Sequence, residues 1–258
     1  MKLSDDIFLI YGREKGRYPY SNCILIGNSL IDGGAEEVWN LRPEAVINSH
    51  WHEDHIAMNG VAKIVIAHEM DSKAIESEEE FRRRYGLGKE VDLFLSIYPK
   101  LRFRKVDAFI EDGDILVYGK NEIEVIHTPG HSAGHCCFLI NGEILFLGDI
   151  ELQFPWYGCL DSDVTAFLAS IRILKKIQPK VAIPAHGEMV TGEELEMKLS
   201  EYENKILERD RKIREIIKAG EDPVGRGIIY RRFPEPRHVY EFFERVMVEK
   251  HLEAKLSF

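Results

Sequence analysis

Residues 45–55, AVINSHWHEDH, decide the fold and the chemistry of this 258-residue chain. AVINSH is an apolar run that ends in polar residues, which is typical of a buried strand that delivers side chains to a site. His50 and His52 are two residues apart on extended backbone, so both rings face the same side. Asp54 and His55 follow after the chain turns and face another point. The pattern therefore favours two adjacent metal ions over a single one.

Three later motifs supply further ligand types, each at the end of a predicted strand. His131 follows EIEVIH, Asp149 follows EILFL, and His186 follows KVAI. Side chains at strand ends can converge on one edge of a sheet, so we expect these residues to meet the first block. Imidazole and carboxylate ligands suit Zn²⁺, Fe²⁺ or Mn²⁺ without selecting among them. Zinc is the first expectation for the metal.

In chain order, the four motifs are HxHxDH (50–55), PGHSAGH (129–135), GD (148–149) and PAHGE (184–188). This series resembles the metallo-β-lactamase-fold hydrolase superfamily. In pattern it is most similar to the glyoxalase II and lactamase-beta-2-like group. IDGG (31–34) also resembles an early turn of that superfamily. The resemblance covers residues 1 to about 190.

The resemblance implies an α/β fold, an αββα four-layer sandwich of two mixed β-sheets with outer helices. It also implies two divalent metal ions held by seven residues, with three ligands for the first ion, three for the second and one bridging carboxylate. In that order these ligands are His50, His52 and His131, then Asp54, His55 and His186, and finally Asp149. A hydroxide between the ions would attack the substrate. Asp54 would be the catalytic residue that orients it and shuttles its proton.

The chain is expected to comprise a catalytic domain, residues 1–190, and a C-terminal helical extension, 191–258, that resembles a winged helix. A helical insertion is predicted at about 70–104. Its apolar stripe of Val91, Phe94, Leu95 and Tyr98 follows helical spacing. Two alternatives stay open for this insertion, because it can pack on the body of the protein or cover the site as a lid.

Further helices are predicted at about 161–176, 191–219, 222–231 and 236–256. Asp161 or Ser162 is expected to cap the first of these helices, because short polar side chains accept hydrogen bonds from the first turn. Asn141-Gly142, between CCFLI and EILFLG, predicts a hairpin with a type I′ turn.

Several remaining side chains can belong either to the site or to the core. For His135 a structural role, or one supporting the metal ligands, is expected. Trp156 and Tyr157, shortly after Asp149, either line a substrate pocket or pack in the core.

Composition excludes several classes of protein. With 45% hydrophobic and 30% charged residues, a sizeable core is expected. No apolar run approaches the roughly 18 residues that a membrane span needs. The first residues, MKLSDDIFLIYGREKG, carry acids where a signal peptide has positive charge. We therefore expect a cytoplasmic protein without a membrane partner. Its four cysteines lack CxxC spacing and are expected to be reduced, and its two glutamines weakly suggest a thermophilic source.

Two enzymatic functions remain as the main alternatives, beside a metal-stabilised binding or scaffold protein without catalysis. The first is hydrolysis of a small ester, thioester or lactone, which the net charge of −10 favours because it repels polyanions. The second is cleavage of single-stranded RNA. Residues 205–258 hold 13 Lys and Arg against 10 Asp and Glu, and Lys205, Arg209 and Lys212 lie on one predicted helix. The small-molecule substrate is the preferred expectation, and the oligomeric state is left open, with a homodimer as one alternative.

Two related classes of enzyme are disfavoured by departures from their motifs. Residue 52 is His, where flavodiiron oxygen reductases carry Glu. Only 36 residues separate Asp149 from His186, which leaves no space for the large inserted domain of nucleases that resemble ribonuclease J.

Overall fold

The computed structural model describes residues 1–254 and 256. It contains two mixed β-sheets of six strands each, with helices on their outer faces. The predicted αββα sandwich is therefore confirmed. The metal-ligand motifs lie at the ends of strands in both sheets, so the architecture decides where the site forms.

The first sheet has the order β1-β2-β3-β4-β5-β6. Its strands are β1 (Ile7–Ile10), β2 (Cys23–Ile26), β3 (Ser29–Ile31), β4 (Ala45–Ile47), β5 (Ile64–His68) and β6 (Ala108–Ile110). The first three pair antiparallel, and β3 to β6 pair parallel. The parallel half explains why β4 is a continuous apolar run, because its strands are covered on both faces.

The second sheet has the order β12-β11-β10-β9-β8-β7. Its strands are β7 (Ile115–Tyr118), β8 (Asn121–His127), β9 (Cys136–Ile140), β10 (Ile144–Phe146), β11 (Val181–Ile183) and β12 (Val190–Thr191). All pairs are antiparallel except β10 with β11. Asn141 and Gly142 both have positive φ, as the predicted type I′ turn between β9 and β10 requires.

The core between the sheets follows from strand alternation. Side chains of period two, such as Ile7 and Leu9 in β1 and Ile123 and Val125 in β8, are fully buried in one apolar cluster drawn from both sheets. The intervening residues Glu122 and Glu124 face solvent. In strands such as β1 and β8, this alternation fixes the register and therefore the positions of the strand ends.

Within the described part of the chain, seven helical segments and two 3₁₀ turns accompany the sheets. The helices are α1 (Arg13–Gly16), α2 (Glu69–Glu76), α3 (Glu78–Tyr85), α4 (Val91–Leu95), α5 (Val164–Leu174), α6 (Gly192–Lys218) and α7 (Arg237–Glu253). The 3₁₀ turns are Glu36–Asn40 and Gly88–Glu90. Within the described residues, no helix has both the length and the apolar character needed to cross a membrane.

The predicted insertion forms helices α2, α3 and α4, which pack against the first sheet. Val91 and Tyr98 of its apolar stripe are buried in the same cluster as Val46 of β4 and Val65 of β5. The C-terminal helices join a second cluster, in which Leu199 packs with residues of the second sheet. The division into two domains at residue 190 stays a prediction.

The prediction of a helix at 222–231 was wrong. The backbone there forms turns, with positive φ at Gly225 and Gly227. The amide groups of Gly225, Ile229 and Tyr230 donate to the buried carboxylate of Glu244 in α7. A distant carboxylate, which local sequence does not reveal, therefore takes the place of helical hydrogen bonds.

The predicted cap of α5 was also wrong by one or two residues. The Asp163 side chain accepts a hydrogen bond from the amide of Ala166, at 2.8 Å. Asp161 instead accepts from the Trp51 indole, and the Ser162 hydroxyl donates to the carbonyl of His131. Both expected caps are thus engaged with the site loops.

Candidate metal centre

Four side chains form the first group of candidate ligands. They are His50, His52, His131 and Asp149, all buried, and their ligand atoms lie within 4.8 Å of one another. His131 Nε2 lies 3.1 Å from His50 Nε2 and 3.0 Å from His52 Nδ1. Three ring nitrogens at such distances converge on one point. A cation at that point would satisfy their lone pairs together.

Asp54, His55 and His186 form the second group. His186 Nε2 lies 3.2 Å from Asp54 Oδ2, and His55 Nε2 lies 3.4 Å from the same oxygen. Asp149 stands between the groups. Its Oδ1 lies 3.0 Å from His55 Nε2, and its Oδ2 lies 3.1 Å from His131 Nε2. One carboxylate therefore offers a separate oxygen to each group.

Unpaired buried atoms, a second observation besides the distances, also indicate that these residues fit metal ions. Among the described residues, Asp54 Oδ2, His55 Nε2 and Asp149 Oδ1 are buried atoms with no hydrogen-bond partner. Buried polar atoms are almost always paired, so three unpaired atoms that face one another indicate a missing partner. A divalent cation with oxygen and imidazole ligands is the partner that such a set accepts. All seven residues expected from the sequence are brought together here.

Each histidine of the two groups has a partner for its second ring nitrogen. His50 contacts Ser49 Oγ, His52 contacts Cys159 Sγ, and His55 contacts Asp32 Oδ2. His131 contacts the Trp156 carbonyl, and His186 contacts the Gly16 carbonyl. Such contacts fix the tautomer and the orientation of a ligating ring. The ring nitrogens that face the site are therefore held as acceptors or ligands.

Asp32 is the most fully engaged of these partners. It is completely buried, and its Oδ1 accepts from the Ser49 amide at 2.7 Å. Its Oδ2 lies 2.7 Å from both the Ser49 hydroxyl and His55 Nδ1. Asp32 has a φ of 60°, a left-handed conformation that Asp and Asn tolerate best among residues with side chains. The IDGG turn thus aims one carboxylate at His55.

The loop that carries His131 is held from the insertion by Asp71 of α2. Asp71 Oδ1 accepts from the Gly134 amide at 2.8 Å, and Oδ2 accepts from the Ser132 hydroxyl at 2.6 Å. Arg84 of α3 balances the charge of Asp71 at 3.2 Å. The helical insertion is therefore tied directly to one metal-ligand loop, a role that its sequence did not reveal.

The pKa values of four candidate ligand histidines are shifted in two opposite directions. Burial, and then neighbouring histidines, holds the pKa of His50 and His52 well below the ordinary value, which favours the neutral form that a metal ligand requires. Burial also acts on His55 and His186, but the carboxylates around them outweigh it and raise their pKa. Asp149 has its pKa lowered because facing histidines outweigh its burial.

His135 contacts the site through the backbone, in agreement with its expected supporting role. Its Nε2 accepts from the Asp149 amide at 3.0 Å, and its Nδ1 lies 2.9 Å from the Thr128 hydroxyl. Burial lowers the pKa of His135 to about 3. A neutral ring therefore anchors the backbone of the shared carboxylate.

A cavity of about 260 Å³ opens onto the two groups. Besides the ligands, Trp156 lines it, whereas Tyr157 is completely buried in the core. Sequence reasoning missed Glu151, which also lines the cavity and forms a third candidate cluster with Asp149 and His186. Desolvation raises the pKa of Glu151 to about 7. Its position two residues after Asp149 was the only available signal.

Fold and site together define a class of proteins, the metal-dependent hydrolases built on two facing β-sheets. The metallo-beta-lactamase superfamily matches residues 20–186, and the chain belongs to this family. The match spans every motif from the second strand to His186. Family membership and the two His/Asp groups together support a metal-dependent hydrolase.

Three curated relatives show the range of the family. An atrochrysone carboxyl ACP thioesterase of Pseudocercospora fijiensis is 26% identical over 82% of this chain and 61% of its own length. A hydroxyacylglutathione hydrolase of Prochlorococcus marinus is 25% identical over 65% of each chain. A beta-lactamase-like protein 2 homolog of Caenorhabditis elegans is 25% identical over 86% of this chain and 74% of its own. This chain thus spans about three fifths of the first relative.

Solved structures agree with the fold over nearly the whole chain. A metallo-beta-lactamase family protein of Thermus thermophilus superposes with a TM-score of 0.73 at 18% identity, covering 98% of this chain and 94% of the other. An archaeal superfamily protein of Sulfolobus tokodaii gives 0.62 at 19% identity, covering 97% and 100%. At these identities the likeness concerns the fold alone.

Proposed function

We propose that this protein hydrolyses a small ester or thioester, lactones included, with two divalent metal ions. His50, His52 and His131 would hold one ion, and Asp54, His55 and His186 would hold the other. Asp149 would be a ligand to both. The observation that carries the proposal is the position of Asp149, whose two oxygens lie 3.1 Å and 3.0 Å from nitrogens of different groups. Zn²⁺ is the expected metal.

Bound ions would supply a Lewis acid that polarises the carbonyl and acidifies water. Asp54 serves as the proton shuttle, because its Oδ2 is buried and unpaired beside His55 and His186. In the reaction, the oxygen of water forms a bond to the carbonyl carbon and the carbon–sulfur or carbon–oxygen bond breaks. Asp54 accepts the proton of the water and returns it to the leaving thiolate or alkoxide. The products are a carboxylic acid and a thiol or alcohol.

The ester and thioester class has two sources of support. Relatives of this chain bear the names ACP thioesterase and hydroxyacylglutathione hydrolase. The described residues that line the cavity also include no lysine or arginine, the residues that phosphate or polyanionic substrates need. A compact carbonyl compound is therefore favoured over a nucleic acid.

The cations expected to bind RNA have other partners in the structure. Arg209 is buried and packs over the Phe154 ring at 4.7 Å. Lys205 donates to the Gln153 carbonyl, and Lys212 pairs with Glu208. None of these contacts favours RNA cleavage over the small-molecule reaction.

The test is hydrolysis by metal-loaded protein of a panel of thioesters, lactones and single-stranded RNA. We expect thioester hydrolysis that is nearly independent of salt. Asp54→Asn should lower kcat by about 10²-fold or more, because it removes an acid–base group, while metal content stays measurable. Asp5→Asn, at an exposed carboxylate, serves as the matched control.

Two results would contradict the proposal. Full activity of metal-loaded Asp54→Asn would exclude Asp54 as the shuttle. Efficient RNA cleavage that weakens steeply with salt, and that is lost in Asp54→Asn, would replace the small substrate by a nucleic acid.

A further inference from the structure

The cavity above the metal centre has a marked division between polar and aromatic lining. Its carboxylates and imidazoles lie at the metal groups, and the other described lining residues are eight aromatic side chains. We propose that the acyl group of the substrate is an uncharged aromatic ring, held by these side chains while its carbonyl reaches the metal groups. This proposal rests on the proposed ester or thioester hydrolysis.

Tyr18, Tyr85 and Phe94 form the first aromatic group. Tyr85 stacks on His52 with ring centroids 5.4 Å apart and planes at 26°, and it lies 5.8 Å from Phe94. The hydroxyls of Tyr18 and Tyr85 both donate to the buried carboxylate of Glu53, at 2.8 Å and 2.5 Å. Since Glu53 takes these hydroxyls, the two tyrosines offer mainly ring surface to a ligand.

Phe154, Trp156, Tyr230, Tyr240 and Phe243 form the second aromatic group. Trp156 and Phe243 meet edge to face at 5.2 Å, and Tyr230 and Tyr240 do so at 5.6 Å. The Trp156 indole donates to the Tyr230 hydroxyl at 2.9 Å, which occupies another polar tip. Edge-to-face contacts of this kind hold rings in fixed orientations and leave faces and edges for another ring.

The size of the cavity agrees with one ring and its ester linkage. An apolar cavity of roughly 150 Å³ binds benzene, so the 260 Å³ here leaves space for a reacting carbonyl beside one aromatic ring. The first and second aromatic groups meet where Tyr85 lies 6.2 Å from Phe243. The ring of the substrate would complete this network of aromatic contacts.

Charge restricts the acyl group further. Among the described residues that line the cavity, the ionisable ones besides tyrosines are Asp54, Asp149, Glu151, His52 and His186. The same lining has no lysine or arginine, and His52 and His186 belong to the metal groups, so no further basic side chain is left to pair with a carboxylate on the acyl group. A buried charge without a partner binds poorly, so an anionic acyl group is disfavoured.

The experiment compares four thioesters of N-acetylcysteamine with metal-loaded protein: acetyl, phenylacetyl, cyclohexylacetyl and 4-carboxyphenylacetyl. The reacting carbonyl has a similar environment in all four, so kcat/KM reports recognition of the acyl group. We expect the phenylacetyl thioester to exceed the acetyl thioester by about 10-fold or more. The cyclohexyl and carboxylate analogues should each be hydrolysed less efficiently than the phenylacetyl compound.

Variants assign this preference to the cavity. Phe94→Ala and Tyr240→Ala each remove a half-buried ring from a different aromatic group. Each should lower the ratio of kcat/KM for the phenylacetyl thioester to kcat/KM for the acetyl thioester by about 10-fold. Phe109→Ala, at an exposed phenylalanine of β6, is the matched control and should change neither value.

The outcomes separate this inference from the proposed function. Equal kcat/KM for phenylacetyl, cyclohexylacetyl and acetyl thioesters, or equal losses on all of them in both variants, would overturn the aromatic acyl site while thioester hydrolysis stands. Preference for the carboxylate analogue would overturn it as well. Failure of metal-loaded protein to hydrolyse any ester or thioester would overturn the proposed function itself.

Discussion

Replacement of Asp32 by asparagine tests whether the charge of this carboxylate orients His55 as a metal ligand. Asparagine keeps the size of the side chain and tolerates the left-handed backbone, so the turn should survive. Its amide nitrogen, however, would face His55 Nδ1, which lies 2.7 Å from Asp32 Oδ2. If the nitrogen takes that position, His55 must carry its proton on Nε2, the atom that faces Asp149. A protonated nitrogen cannot bind a metal ion.

The expected magnitude follows from this contact. Loss of an outer partner of a metal ligand typically weakens metal binding by roughly 10- to 100-fold, which corresponds to about 1.4–2.8 kcal/mol. Competition with a chromophoric chelator should therefore show a weaker affinity for one ion and a nearly unchanged affinity for the other. The reason is that Asp32 contacts His55 alone among the seven candidate ligands. Asp114→Asn, at an exposed carboxylate, is the control. Wild-type affinity for both ions in Asp32→Asn would refute the orientation argument.

Three further predictions concern other contacts. Asp149→Ala should lose both ions, or nearly so, by elemental analysis, and normal binding of two equivalents would contradict the shared carboxylate. Asp71→Asn should weaken metal binding and lower the free energy of unfolding by about 1–3 kcal/mol, because one of the two buried acceptors is replaced by a donor. Glu80 also pairs with Arg84 but does not contact that loop, so Glu80→Gln should keep normal metal affinity. Burial, partly offset by Asp210, lowers the pKa of His251 to about 4 from 6.5, so the unfolded chain binds more protons between these values and stability falls as pH decreases through that window. Denaturant unfolding should show that the free energy of unfolding falls from pH 7 to pH 5 by about 2 kcal/mol less in His251→Gln than in wild type. An equal decrease in both proteins would exclude this role of His251.

The candidate metal centre could be predicted from sequence because its signals are local. Four of the seven residues lie within six positions, and each of the others follows closely after a predicted strand. Strand ends are fixed by period-two burial, as in β8, where Ile123 and Val125 are buried and Glu124 is exposed. Local pattern and global packing therefore give the same answer at this site.

The cavity as a whole could not be predicted because its lining comes from distant segments. Phe94 of the apolar stripe and Trp156 were candidates for covering or lining the site, whereas Tyr18 in the first loop and Tyr240 in α7 carry no motif. The helix predicted at 222–231 failed for a similar reason. Glu244, about twenty residues later, accepts the amide hydrogens that a helix would have used internally. Only tertiary contacts determine both features.

The aromatic cavity has a consequence for how selectivity could change in such a protein. The candidate ligands belong to the ends of sheet strands, whereas Phe94, Tyr230, Tyr240 and Phe243 belong to the insertion and to the chain after α6. Reactivity and part of the proposed selectivity would thus be encoded in separate stretches of the gene. Exchange of the coding sequence for residues 86–98 or 222–243 between homologues would alter which acyl groups are accepted without touching a single ligand. New specificities become accessible by recombination of short cassettes.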